Sequence, residues 1–179
     1  MTAKVEIRPG SDADLADLVA VLGQRHFFTD HLARQRDGRG VLLVAWLDGR
    51  PVGDVYLAWE PADVPQVRRH LPGVPQLIHL EVLGPLQRRG IGTALLRAAE
   101  DTARRLGHEQ ITLAVGVDNI DARRLYERLG YVDWRYGTIV ATWLERDRDG
   151  PPVTVSESCD VPGCCTNPEI LTTWPVGSG

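Results

Sequence analysis

The most constraining feature of this chain is the octet Gln87-Arg88-Arg89-Gly90-Ile91-Gly92-Thr93-Ala94 and what stands on either side of it. Before it, Leu77-Ile78-His79-Leu80-Glu81-Val82-Leu83 alternates as a strand does. After it, Leu95, Leu96, Ala99, Thr102, Ala103 and Leu106 recur at helical spacing, which predicts a helix over 94–106. The two glycines therefore sit where a strand turns into a helix. Such a helix start offers unpaired backbone N–H groups and the positive end of its dipole. Gly90 and Gly92 carry no side chain to hold an anion off, and Arg88 and Arg89 add positive charge beside them. Two glycines alone would also suit an ordinary turn. In this setting they describe a pyrophosphate site made from backbone.

The charge balance excludes some partners. With 20 basic and 24 acidic residues and a net charge of −4, there is no general electrostatic case for binding nucleic acid. The first five residues contain no apolar stretch of the kind a secretory signal needs. The longest apolar run, 41–47, is too short to cross a bilayer. These features are those of a soluble cytoplasmic protein with no membrane partner, whose 179 residues suit one domain.

In chain order, 5–8 alternates as a first strand, and Ser11 precedes a helix with its apolar stripe at Leu15, Leu18, Val19 and Leu22. A second helix is expected over 24–35, with Phe27, Phe28, His31 and Leu32 on one side as a packing face or one lip of a cleft. Strands over 41–47 and 52–59 flank the tight turn Asp48-Gly49. The Pro-rich, charged stretch 60–75 has room for one helical turn and is not expected to build core. Beyond the central helix come a strand at 111–115, a helix capped by Asp118 or Asn119, a long strand over 131–144 and a returning strand from Val153. From 160 the pattern is lost, so 1–159 is expected to form the domain and 160–179 an irregular tail.

Two motifs in order, Gln87-Arg88-Arg89-Gly90-Ile91-Gly92-Thr93-Ala94 and then Asn119-Ile120-Asp121-Ala122-Arg123-Arg124-Leu125-Tyr126-Glu127-Arg128-Leu129-Gly130-Tyr131, lie one helix and one strand apart. In this the chain resembles the GNAT superfamily of acyl-CoA-dependent N-acyltransferases, from about Val5 to Val155. The resemblance implies an α/β fold: a mixed, mostly antiparallel sheet splayed between its fourth and fifth strands, flanked by helices. It also implies acetyl-CoA as co-substrate, with no metal. By position, Leu80, Glu81 and Val82 match the strand that runs beside the pantetheine, with the Val82 amide facing the thioester carbonyl. Arg88, Arg89, Gly90, Ile91, Gly92 and Thr93 match the pyrophosphate loop, Asn119 a CoA contact, and Tyr126 the general acid.

Acyl transfer to an amine needs a donor for the developing oxyanion, an acid for the leaving thiolate and a base for the ammonium. Some members of the superfamily carry a glutamate on the fifth strand, where this chain has Ala114. Glu81 and His79, two residues apart on one strand face, are the substitutes available. Each also suits a purely structural role, and Tyr126 suits a core position. Trp134, Tyr136 and Trp143 would line either core or acceptor pocket. Cys159, Cys164 and Cys165 have no neighbouring histidine and read as reduced thiols, with no metal site.

The acceptor expected is a primary amine of a small polar molecule, with a protein N-terminus or lysine as the alternative. A non-catalytic CoA sensor is the rival class. A nicotinamide-binding turn fits poorly, since Leu95 occupies the third glycine position. An exposed last strand would let two copies pair into a homodimer.

Overall fold

This computed structural model describes residues 4–62, 65–116, 119–133, 143–146, 152–155 and 168–172. Strands β1 (Val5–Pro9), β2 (Gly40–Leu47), β3 (Arg50–Ala58) and β4 (Gln76–Val82) pair antiparallel in sequence order. Strand β5 (Thr112–Gly116) joins β4 in parallel, which makes the sheet mixed, as expected. The alternation of β2 assigns its side chains. Leu43 and Ala45 face one core, while Leu42, Val44 and Trp46 face the other.

The second of those cores is closed by helices α1 (Leu15–Leu22) and α2 (Arg25–Arg36), which bury Leu18, Leu22, Phe28 and Leu32. On the first lies a long helix, Ile91–Arg105, burying Ile91, Leu95, Leu96, Ala99 and Ala103. It is numbered α4, because a short helix α3 (Pro65–His70) precedes it. Val67 of α3 is buried, so this stretch contributes packing that its composition did not suggest. Helix α4 begins three residues before the first residue of the helix read from the sequence. Gly90 is its N-cap, with φ +83°, and Gly92 lies within its first turn. Helix α5 (Ile120–Arg128) follows β5.

Of the long strand expected over 131–144, the described residues show β6 (Val132–Asp133) and the beginning of β7 (Trp143–Arg146), and 134–142 lie outside the described residues. Strand β7 pairs antiparallel with β8 (Pro152–Val155), the returning strand expected from Val153. Within the tail expected to be irregular, Pro168–Thr172 forms strand β9, antiparallel to both β5 and β6. That corrects the reading for these five residues. The edge of β5 carries unpaired backbone groups that a passing extended segment can satisfy whatever its side-chain period. The three cysteines, Trp134 and Tyr136 lie outside the described residues. Among those described, no helix is long and apolar enough to cross a membrane.

Two irregularities set up the site. First, β4 and β5 pair only at Gln76–Thr112 and Leu77–Leu113. The rest of β4, up to Val82, parts from β5, which continues alongside β9. This is the expected splay. Second, β4 carries a bulge: Asp54 pairs with Glu81 but Tyr56 with Ile78, so Val55 faces both His79 and Leu80. His79 takes up the extra residue at φ +56°.

Gly53 permits the close approach of β3 to β4 at this point. A Cβ there would lie 2.6 Å from the Glu81 carbonyl oxygen and 3.2 Å from the Val82 Cα. Gly53→Ala must therefore push backbone apart, an overpacking cost of about 1–3 kcal/mol. Differential scanning calorimetry is expected to show a Tm lower by about 3–10 °C. An unchanged Tm would mean that the two strands part at no cost.

Candidate active site at the splayed strands

The bulge decides where the polar residues of β4 point. Leu77 packs in the α4-side core and Ile78 in the α1–α2 core, as alternation requires. His79 then stays on the α1–α2 side, its ring 4.1 Å from that of Phe27 on α2. A regular strand would have turned it toward α4. Leu80 returns to the α4 side and Glu81 to the side of His79, where its Oε2 lies 3.2 Å from His79 Nε2. Nδ1 of His79 is 3.0 Å from Oδ2 of Asp54 on β3. Gln24, at the junction of α1 and α2, donates from Nε2 to Glu81 Oε2 at 2.5 Å. It does so from a left-handed backbone (φ +53°) next to Gly23 at φ +75°, a conformation that persists only where contacts hold it.

The electrostatics of this cluster are strongly perturbed. Asp54 is wholly buried, its Oδ1 has no hydrogen-bond partner, and burial raises its pKa against the pull of His79. Burial also disfavours the charged form of His79. The hydrogen bond to Asp54 and the charges of Asp54 and Glu81 outweigh it, so the His79 pKa is raised. His31, which stacks on the other side of Phe27 at 4.0 Å, is shifted down because burial dominates there.

On the α4 side, the end of β4 presents backbone. Leu83 N–H donates to Val52 C=O at 2.9 Å, which makes Gly53–Val82 a pair without mutual hydrogen bonds. The N–H and C=O of Val82 consequently point away from β3, toward the gap that β5 has left. Gln87 Nε2 reaches the Val82 carbonyl at 3.0 Å, in keeping with that direction. The first intrahelical bond of α4 runs from Ala94 N–H to Gly90 C=O. The N–H groups of Ile91, Gly92 and Thr93 are therefore left facing out of the helix start. A Cβ on Gly92 would come within 3.8 Å of Val82 and of Leu125 on α5, so β4, α4 and α5 converge here. This is a cradle with donors and positive dipole and no side chain, and its chemistry fits a pyrophosphate and the chain attached to it.

Residues 12–131 match the Acetyltransferase (GNAT) family. The chain belongs to this family. Over 120 residues it is 30% identical to an uncharacterised N-acetyltransferase of Methanocaldococcus jannaschii, a match covering 67% of this chain and 49% of that one. It is 31% identical over 109 residues to an N-alpha-acetyltransferase of Sulfurisphaera tokodaii, covering 59% of this chain and 63% of the relative. The chain thus spans about half to two thirds of the length of these relatives. In fold it resembles the PaiA N-acetyltransferase of Thermoplasma acidophilum, solved in complex with coenzyme A, with a TM-score of 0.62 at 16% identity. That match covers 94% of this chain and 98% of the other.

The remaining expected residues of this GNAT chain fall as follows. Arg88 and Arg89 are exposed, with Arg88 Nη2 3.3 Å from Asp121 of α5. Asn119 is the N-cap of α5, its Oδ1 accepting from Ala122 N–H at 3.2 Å. Tyr126 is buried on the α4 side, 5.7 Å between ring centroids from Tyr131, and burial alone raises its pKa to about 12. Asp54 and Gln24 were not found by sequence reasoning. The one available signal for Asp54 was a carboxylate in the middle of an otherwise apolar strand.

Proposed function

We propose that this chain transfers an acetyl group from acetyl-CoA to a primary amine by direct attack in a ternary complex. The observation that carries the reading is the pairing of two chemistries at one opening in the sheet. Backbone donors of β4 and α4 lie on one side of it, and the carboxylate and imidazole of Glu81 and His79 on the other.

Acetyl-CoA, when bound, supplies a thioester carbonyl and a thiolate leaving group. Leu80 and Val82 line the route of the pantetheine, and the Val82 N–H, already turned from β3, steadies charge developing on the carbonyl oxygen. Gly90, Ile91, Gly92 and Thr93 hold the pyrophosphate, with Arg88, Arg89 and Asn119 at its margin. Tyr126 keeps its phenolic proton across the working pH range and delivers it to the sulfur. Glu81 takes the proton that the acceptor ammonium must lose.

Glu81→Gln is expected to slow turnover by about 10²-fold at low pH and much less at high pH, where the amine is already neutral. Steady-state thiol release from pH 6 to 9.5 checks this, and a constant ratio of wild type to variant across that range would remove Glu81 as the base.

The acceptor we propose is a small polar amine, since the Glu81 carboxylate, the His79 ring and the Gln24 amide meet where the ammonium would sit. A protein N-terminus is the second reading. It is favoured by the name of the Sulfurisphaera tokodaii relative and by a cavity of about 300 Å³ at the end of β4, lined largely by Val21, Leu47, Val52, Leu83 and Leu86. Thiol release measured across a panel of polyamines, amino sugars and peptides with Met, Ala and Ser N-termini separates the two. Tight CoA binding with no turnover of any of them would point instead to a sensor.

A further inference from the structure

The proposed mechanism leaves the buried carboxylate of Asp54 unused. Its carboxylate has no solvent exposure, one oxygen without a partner and the other on His79 Nδ1. His79 in turn faces Glu81 through Nε2. Three strand residues and Gln24 thus make a single line, Asp54–His79–Glu81–Gln24, running from the interior of the sheet to the acceptor side.

We propose that Asp54 is a positioning residue that fixes the ring and tautomer of His79, so that His79 relieves Glu81 of the proton taken from the acceptor. The inference rests on the reading of Glu81 as the base. An ionised carboxylate can only accept, so the nitrogen of His79 that faces Asp54 must carry its hydrogen. The neutral ring then has its lone pair on Nε2, directed at Glu81. As the ammonium N–H breaks, a carboxylic O–H forms at Glu81. That O–H breaks as Nε2–H forms, and Glu81 is left ionised. The imidazolium lies between two carboxylates and gives up its Nε2 proton to solvent, with which the partly exposed His79 is in contact.

The groups that face His79 are few among the described residues. Asp54 lies on β3, Glu81 on β4, and His31 with its neighbour Asp30 on α2 beyond the ring of Phe27. The two carboxylates on the strands favour the imidazolium, and His31 opposes it only when charged. Burial lowers the pKa of His31, which favours its neutral form. The raised pKa of His79 agrees with this balance.

Asp54→Asn tests the proposal. Without the negative charge the His79 imidazolium is less favoured, so the rising limb of the kcat–pH profile should move down by about one pH unit. The plateau should fall about 10-fold, because a weaker base remains. KM for acetyl-CoA should not change, since its cradle lies on the other face of the sheet. A limb and plateau identical to wild type would overturn the proposal.

Should the variant fail to fold, nitrogen NMR of His79 in the wild-type protein decides. The Nδ1–H tautomer at high pH is expected, and Nε2–H would overturn it. Failure of the Glu81 reading is recognised separately. Glu81→Gln would then keep its rate at low pH, while the tautomer of His79 and its dependence on Asp54 would still be measurable.

Discussion

Tyr126→Phe is expected to leave folding and CoA affinity almost unchanged while kcat falls by about 10²–10⁴. The ring of Tyr126 is part of the α4-side core, and phenylalanine preserves that packing. No hydrogen bond to its hydroxyl occurs among the described residues, so removing the oxygen strands no buried partner. What is lost is a proton donor for the thiolate. The pKa of about 12 matters for the sign of the effect: the phenol stays protonated throughout any ordinary assay, as an acid must. Single-turnover thiol release, with both substrates saturating, isolates the chemical step. Wild-type rates in that measurement would make the tyrosine purely structural and leave water or the acceptor itself to protonate the sulfur.

The contrast between Tyr126 and Asp54 shows what the sequence can carry. Tyr126 follows Asn119 by two helical turns inside a motif, so a local pattern reveals it. Asp54 acquires meaning only through His79, 25 residues away, and Gln24 only through Glu81, 57 residues away. No period or spacing encodes such contacts. The strand over 77–83 was legible from its alternation, yet its bulge was not, because the change of phase falls between Ile78 and His79, where a regular strand has the same composition. The splay likewise came from resemblance alone, since Gln76 and Leu77 pair with β5 and the residues after them do not. Strand β9 was missed for a different reason. Ile170 and Leu171 sit among turn residues, and what orders them is the unfilled edge of β5, a property of the assembled sheet.

Gly92→Val is expected to raise the Kd for CoA by at least 100-fold in a calorimetric titration, with the fold intact. Gly92 lies in the first turn of α4, where valine has a higher helix propensity than the glycine it replaces. Its Cβ would make ordinary contacts of 3.8 Å with Leu125 and Val82, so the added atom does not itself drive the elements apart. The two further methyl groups are what matter. They stand beside the N–H groups of Ile91, Gly92 and Thr93, which the helix leaves unpaired, and keep any phosphate oxygen beyond hydrogen-bond distance. Gly92→Ala should fall between wild type and Gly92→Val, because a single methyl group obstructs less of the approach. Circular dichroism and the melting temperature separate lost binding from lost folding. Undiminished affinity in a folded Gly92→Val protein would show that the ligand bypasses the α4 start, and the assignment of the cradle would have to be abandoned.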